Sequence, residues 1–121
     1  MPRILVADDD RALQVLLNII LSRAGFEVEF ASNGKDALRM AVADSYDAIM
    51  MDLIFHDISG MDILDGLSRE RPGSLRKVVV LTGASKAILD KLDQSRVHAV
   101  LRKPFDIQDV IRLTSECVRE S

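Results

Sequence analysis

Short, uninterrupted apolar runs alternate along the chain with longer stretches in which apolar residues recur every three or four positions. The first run, residues 3–8, reads as a strand. Leu13, Leu16, Leu17, Ile20, Leu21 and Ala24 then mark one face of a helix, with Asp10 placed to cap it. Gly25 stops that helix, and Glu27 to Ala31 alternates as a second strand. Asn33 and Gly34 turn the chain into a helix carrying Ala37, Leu38, Ala41 and Val42. Residues 47–51 form a third strand, and Met61, Leu64 and Leu67 lie on a helix that Arg71, Pro72 and Gly73 break. Val78 to Leu81 is β-branched enough for a central strand, and a short helix is predicted from Lys86 to Gln94. A last strand runs from Val97 to Leu101, and beyond Pro104 a final helix, capped by Asp106, carries Ile107, Val110, Ile111, Thr114 and Val118.

Five strands alternating with five helices predict parallel pairing through right-handed crossovers, hence an open α/β sheet covered on both faces. With 121 residues there is room for one such domain, over residues 1–121, and no repeat, linker or low-complexity segment interrupts it.

The strand ends carry the chemistry. Apolar residues 4–7 lead into Asp8, Asp9 and Asp10, and apolar residues 48–51 lead into Asp52. Functional groups in open α/β sheets sit beyond the carboxyl ends of the strands, so these acids are expected to meet on one rim together with Thr82 and Lys103. Carboxylates a few ångströms apart repel, more so when buried, and a hard oxygen-seeking cation such as Mg²⁺ is the natural occupant.

Charge and composition narrow the setting. The net charge of −3 gives no electrostatic case for nucleic acid or an anionic membrane, and Arg69, Arg71, Arg76 and Lys77 read as a solvated helix end and loop. Cys117, the single cysteine, has no disulfide partner within the chain, no signal-type leader precedes the first strand, and no apolar segment reaches the ~20 residues of a membrane span. A soluble, reducing, cytoplasmic setting is expected.

The ordered set of Asp8 and Asp9 after the first strand, Asp52 after the third, Gly60 eight positions later, Thr82 after the fourth, and Lys103-Pro104-Phe105 after the fifth resembles the receiver domain of two-component response regulators. The single-domain chemotaxis regulators are nearest in length, and the likeness covers essentially the whole chain. The resemblance implies a flavodoxin-like sheet in the order 2-1-3-4-5. It also implies that Asp52 is the phosphoacceptor, attacking a phosphohistidine or a small acyl phosphate to give an aspartyl phosphate. Mg²⁺ would be bound by Asp9 directly, Asp8 through water, Asp52, and the backbone carbonyl of Ile54. Lys103 would meet the phosphoryl oxygens as a point charge, held extended by Pro104, through a peptide bond that is usually cis in the family. Thr82 would donate its hydroxyl to the phosphoryl group. The implied partners are a histidine kinase or a histidine phosphotransfer protein, with a homodimer or a target meeting the fourth helix, last strand and fifth helix.

Several positions depart from the family pattern. Phe55 and His56 stand where a Met-Pro pair is usual, removing a proline constraint from the loop after Asp52. His56 reads as a solvent-facing loop residue and His98 as structural. Ile54 and Ala84 are apolar where many relatives carry polar groups that position hydrolytic water. Val100 replaces the usual aromatic switch residue of the last strand.

Other classes fit less well. A flavin domain needs a Gly/Ser/Thr-rich phosphate cradle where this chain has three aspartates, and a dehalogenase-type phosphatase needs an acid two residues after its nucleophile, where Ile54 stands. A receiver module of a longer regulator with a separate output domain, and a degenerate partner-binding receiver, remain as alternatives.

Overall fold

The computed structural model describes residues 1–120. Five strands, β1 (Arg3–Ala7), β2 (Glu27–Ala31), β3 (Ala48–Met51), β4 (Val78–Thr82) and β5 (Ala99–Arg102), form one parallel sheet in the order β2-β1-β3-β4-β5. The crossover helices are α1 (Arg11–Arg23), α2 (Gly34–Ala43), α3 (Gly60–Glu70) and α4 (Lys86–Leu89), and α5 (Ile107–Arg119) follows the last strand. The predicted architecture and strand order are therefore observed.

The sheet divides two cores. Alternate residues of β1 and β3 point to opposite faces, so Leu5, Ala7, Ile49 and Met51 pack with Ala37, Ala41, Ile63, Leu64 and Leu67 of α2 and α3. Ile4, Val6, Ala48 and Met50 pack on the other face with Leu17 and Leu21 of α1 and Val110, Leu113 and Cys117 of α5. Coverage on both faces is why these strands are apolar without alternation.

Side chains fix where the helices begin. Asp10, Asn33, Ser59, Ser85 and Asp106 each accept a backbone N–H of the first turn, satisfying donors that the helix itself leaves open. At the far end of α1, Gly25 takes φ 95°, a left-handed conformation that glycine adopts without steric cost.

Two predictions about the elements need correction. The helix expected from Lys86 to Gln94 stops at Leu89. Asp93 captures both the N–H and the hydroxyl of Ser95 (3.1 and 2.6 Å) and starts a separate 3-10 turn at Gln94–Arg96, a local bond that competes with helix propagation. The last strand accordingly begins at Ala99, leaving Val97 as a buried core residue of the connection. Leu16 and Ile107, assigned to buried helix faces by their spacing, are exposed instead, because Leu17, Ile20 and Leu21 already fill the inward stripe of α1 and Val110, Leu113 and Thr114 that of α5.

Candidate functional site

The residues that follow β1, β3 and β5 converge at one rim of the sheet. Parallel register sets Ala7 beside Met51, so Asp8 and Asp52, the next residue on each strand, emerge as neighbours. Both are buried, with 2 % and 7 % of their surface exposed. Lys103 comes from beyond β5, its N–H bonded to the Thr82 carbonyl at 2.8 Å and its peptide bond to Pro104 cis. Its Nζ lies between the two acids, 2.9 Å from Asp8 Oδ2 and 3.0 Å from Asp52 Oδ2.

The remaining oxygens of both carboxylates are held by backbone. Asp8 Oδ1 accepts the Asp10 N–H at 2.8 Å, and the Gln14 amide donates to the Asp8 carbonyl. Asp52 Oδ1 accepts from the N–H groups of Leu53 (2.7 Å) and Ile54 (3.2 Å). This leaves Oδ2, facing Lys103, as the oxygen of Asp52 without a backbone donor.

The electrostatics follow from depth. Burial raises the Asp8 carboxyl above its ordinary value, and the Asp10 N–H and Lys103 only partly offset that. Burial also opposes the Lys103 charge, yet its bonds to Asp8 and Asp52 outweigh it and raise the amine. Both groups are raised, but burial prevails at Asp8, whose side chain is almost sealed, whereas the neighbouring carboxylates prevail at Lys103, which keeps 26 % of its side chain exposed. An ion triad with Lys103 protonated is consistent with both.

The other expected site residues are less tightly drawn in. Thr82 is fully buried, and its Oγ1 accepts the Ala84 N–H at 2.9 Å, so in this state it shapes the turn after β4, while Ser85 caps α4. Asp9 projects toward solvent and meets His56, whose Nδ1 is 3.5 Å from Asp9 Oδ2. Asp10 is the α1 cap. Ile54 contributes its N–H to Asp52 while its side chain is 50 % exposed. Ala84 is buried and apolar.

Among the described residues no three His, Cys, Asp or Glu side chains form a ready-made metal cage. The donor chemistry nevertheless fits a hard divalent cation: Asp8, Asp9 and Asp52 offer carboxylate oxygens at one rim, and two of them already share a positive charge. Lys103 supplies one positive charge to Asp8 and Asp52 from within the chain, a counter-ion role that the sequence reading had not assigned.

The loop after Asp52 is fixed by bonds that the sequence reading also missed. Asp57 accepts the N–H groups of Gly34 and Lys35 (both 2.9 Å), tying the loop to the start of α2. Those backbone bonds, that from Lys35 foremost, hold its carboxyl down at about 2. The Gly60 N–H closes the loop onto the Leu53 carbonyl at 2.8 Å. A Cβ at Gly60 would stand 2.5 Å from Leu53 Cα and 2.8 Å from the Asp52 carbonyl oxygen, so only glycine lets α3 start this close to the site. The missing proline is thus replaced by other constraints. His98 is structural, as expected, with Nε2 at 2.8 Å from Glu116.

A family profile described as the response regulator receiver domain matches residues 4–115. The chain belongs to this family. This receiver domain is 32 % identical over 117 residues to the DNA-binding transcriptional regulator NtrC of Rhizobium meliloti, covering 97 % of this chain and 24 % of that protein. It is also 32 % identical over 123 residues to the DNA-binding dual master transcriptional regulator RpaA of Synechocystis, covering 100 % of this chain and 51 % of that one. The receiver domain therefore spans between a quarter and a half of the length of these relatives. Among solved structures, it superposes on the receiver domain of the Francisella response regulator 1452 with a TM-score of 0.87 at 25 % identity, covering 99 % and 98 % of the two chains. It matches the response regulator TrrA of Thermotoga maritima, solved in complex with Mg(2+)-BeF, with a TM-score of 0.85 at 26 % identity over 97 % and 99 %. The protein is thus a signalling module of two-component systems. Among the described residues no helix is long and apolar enough to cross a membrane.

Proposed function

We propose that this receiver domain accepts a phosphoryl group on Asp52 from a phosphohistidine, carried by a histidine kinase or a histidine phosphotransfer protein, or from a small acyl phosphate. The observation that carries the reading is the Lys103–Asp8–Asp52 triad, which holds Asp52 Oδ2 beside a fixed positive charge. Oδ2 attacks phosphorus, the bond from phosphorus to the imidazole nitrogen breaks, and the imidazole takes the electron pair. Lys103 follows the charge as it moves onto the phosphoryl oxygens, and the Thr82 hydroxyl, released from Ala84, donates to one of them. Asp8, Asp9, Asp52 and the Ile54 carbonyl would hold Mg²⁺, which when bound would supply positive charge to offset the negative charge of the reacting groups.

The same chain would remove the group by hydrolysis, so the activity is that of a self-modifying signalling domain in the cytoplasm, without direct contact to nucleic acid. The signal passes to a target or a second copy through α4, β5 and α5, around Lys91, Val100 and Arg102. Relatives named as DNA-binding regulators, of which this domain spans only part, support its working as the receiver of a longer regulator.

The test is intact-mass measurement after incubation with Mg²⁺ and acetyl phosphate. One added phosphoryl group on wild type, none on Asp52→Ala and none in EDTA is the expected result. Equal modification of Asp52→Ala would remove the assignment.

A further inference from the structure

His56 occupies the loop between β3 and α3, and Asp9 is its partner across the rim. Of the three consecutive acids, Asp8 is bound by Lys103 and the Asp10 N–H, and Asp10 by the Leu13 N–H. Asp9 has a single side-chain partner among the described residues, His56. The imidazole is 73 % exposed, so it reaches Asp9 without having been desolvated.

We propose that His56 is a nitrogen donor to the divalent-cation site at Asp9 and shifts its preference from Mg²⁺ toward borderline ions such as Co²⁺. The inference rests on the metal reading given above. Two donors that each stand ~2.0–2.2 Å from one ion, at an angle of ~90–110°, lie ~2.8–3.6 Å from each other. The 3.5 Å between His56 Nδ1 and Asp9 Oδ2 falls at the upper end of that range, so one ion could bridge the pair with little rearrangement. The loop that carries His56 is already fixed by Asp57 on α2 and by Gly60 on Leu53, which favours a preorganised donor. Mg²⁺ prefers oxygen and gains little from an imidazole, whereas Co²⁺ and the ions after it in the first-row series gain much. The proline usual at this position offers no such donor.

Cobalt itself is the probe. Co²⁺ is titrated into the full chain and its visible absorption recorded for wild type, His56→Ala and Asp9→Asn, while Mg²⁺ affinity is followed by thermal shift. Co²⁺ is expected to bind wild type about tenfold more tightly than His56→Ala, with a changed absorption band, and Mg²⁺ equally well in both. Equal Co²⁺ affinity and an identical band in the two proteins would overturn the proposal. So would a band that survives Asp9→Asn, because cobalt would then sit elsewhere. If wild type bound neither ion, the underlying metal reading would fall with it, and intact Mg²⁺ binding without cobalt selectivity would remove the role of His56 alone.

Discussion

The ammonium of Lys103 lies 3.0 Å from Asp52 Oδ2, and the same nitrogen also neutralises the more deeply buried Asp8. Lys103 is thus a structural counter-ion before it is anything else. Replacing it by methionine leaves two buried carboxylates facing each other, at a cost of about 2–4 kcal/mol, somewhat under that of a fully sealed pair because Lys103 is partly exposed. Urea unfolding in EDTA near neutral pH measures this. Lys103 is raised in the folded protein, so its contribution is present below the ordinary lysine value of 10.5 and is lost as pH rises through the folded value. Asp8 is also raised, so the cost of its charge is absent at acid pH and grows as pH climbs from 3.8. The difference between wild type and Lys103→Met should therefore narrow as the buffer is acidified. A difference that stayed constant would mean that the pair does not titrate as described.

Metal should change this balance in a way that depends on Asp52. Asp52→Asn removes one of the two charges that Lys103 holds, and added Mg²⁺ is expected to raise the melting temperature of wild type more than that of the variant. The repulsion at stake is on the order of 1–4 kcal/mol, enough to see in a melting curve. Identical Mg²⁺ shifts in both proteins would show that Asp52 is not a ligand.

Gly60→Ala should disturb the site from a distance in sequence. Its methyl group would overlap the backbone of Asp52 and Leu53, so the start of α3 or the loop must move, with a loss of about 1–3 kcal/mol. Because the Leu53 and Ile54 N–H groups hold Asp52 Oδ1, phosphorylation by acetyl phosphate should slow as well. Unaltered stability and rate would show that the loop has slack that the distances deny.

The acid limb of the stability curve should carry the signature of Asp57. Its carboxyl is held down at about 2 against an ordinary 3.8, so the stability it contributes is present above the ordinary value and is lost as pH falls toward 2. Thermal melts between these limits should fall less steeply for Asp57→Asn than for wild type. Parallel curves would remove the anchoring role.

The lifetime of the proposed aspartyl phosphate should depend on Ile54. Its side chain cannot hydrogen-bond a water held in line with phosphorus, and neither can that of Ala84, so Ile54→Asn should release phosphate several times faster once the donor is withdrawn. Slower release from the variant would contradict this.

Strand positions were legible because double-sided burial makes each strand an unbroken apolar run, and the polar residue closing a run marks the rim. Asp8, Asp52 and Thr82 close such runs, whereas Arg102 closes the last one and Lys103 stands one residue further on. The end of α4 was not, since Asp93 and Ser95 form a local side-chain turn that apolar spacing does not register. Nor was Asp57, whose partners Gly34 and Lys35 lie more than twenty positions away with no pattern joining them. The counter-ion role of Lys103 depends on how deep its amine sits, a property of the folded rim rather than of any motif.

The brevity of α4 has a thermodynamic meaning for the whole coat of helices around the sheet. A single helical turn has no stability of its own in water, so this stretch keeps its shape through its capping and side-chain bonds and the few side chains it buries, Leu89, Leu92 and Val97. The other helices span ten or more residues and are fastened along their length. Residues 86–98 are therefore the part of the surface that can be rearranged at least expense to the remainder, a soft panel set in a stiff shell, adjoining Thr82 at one end and the edge strand at the other.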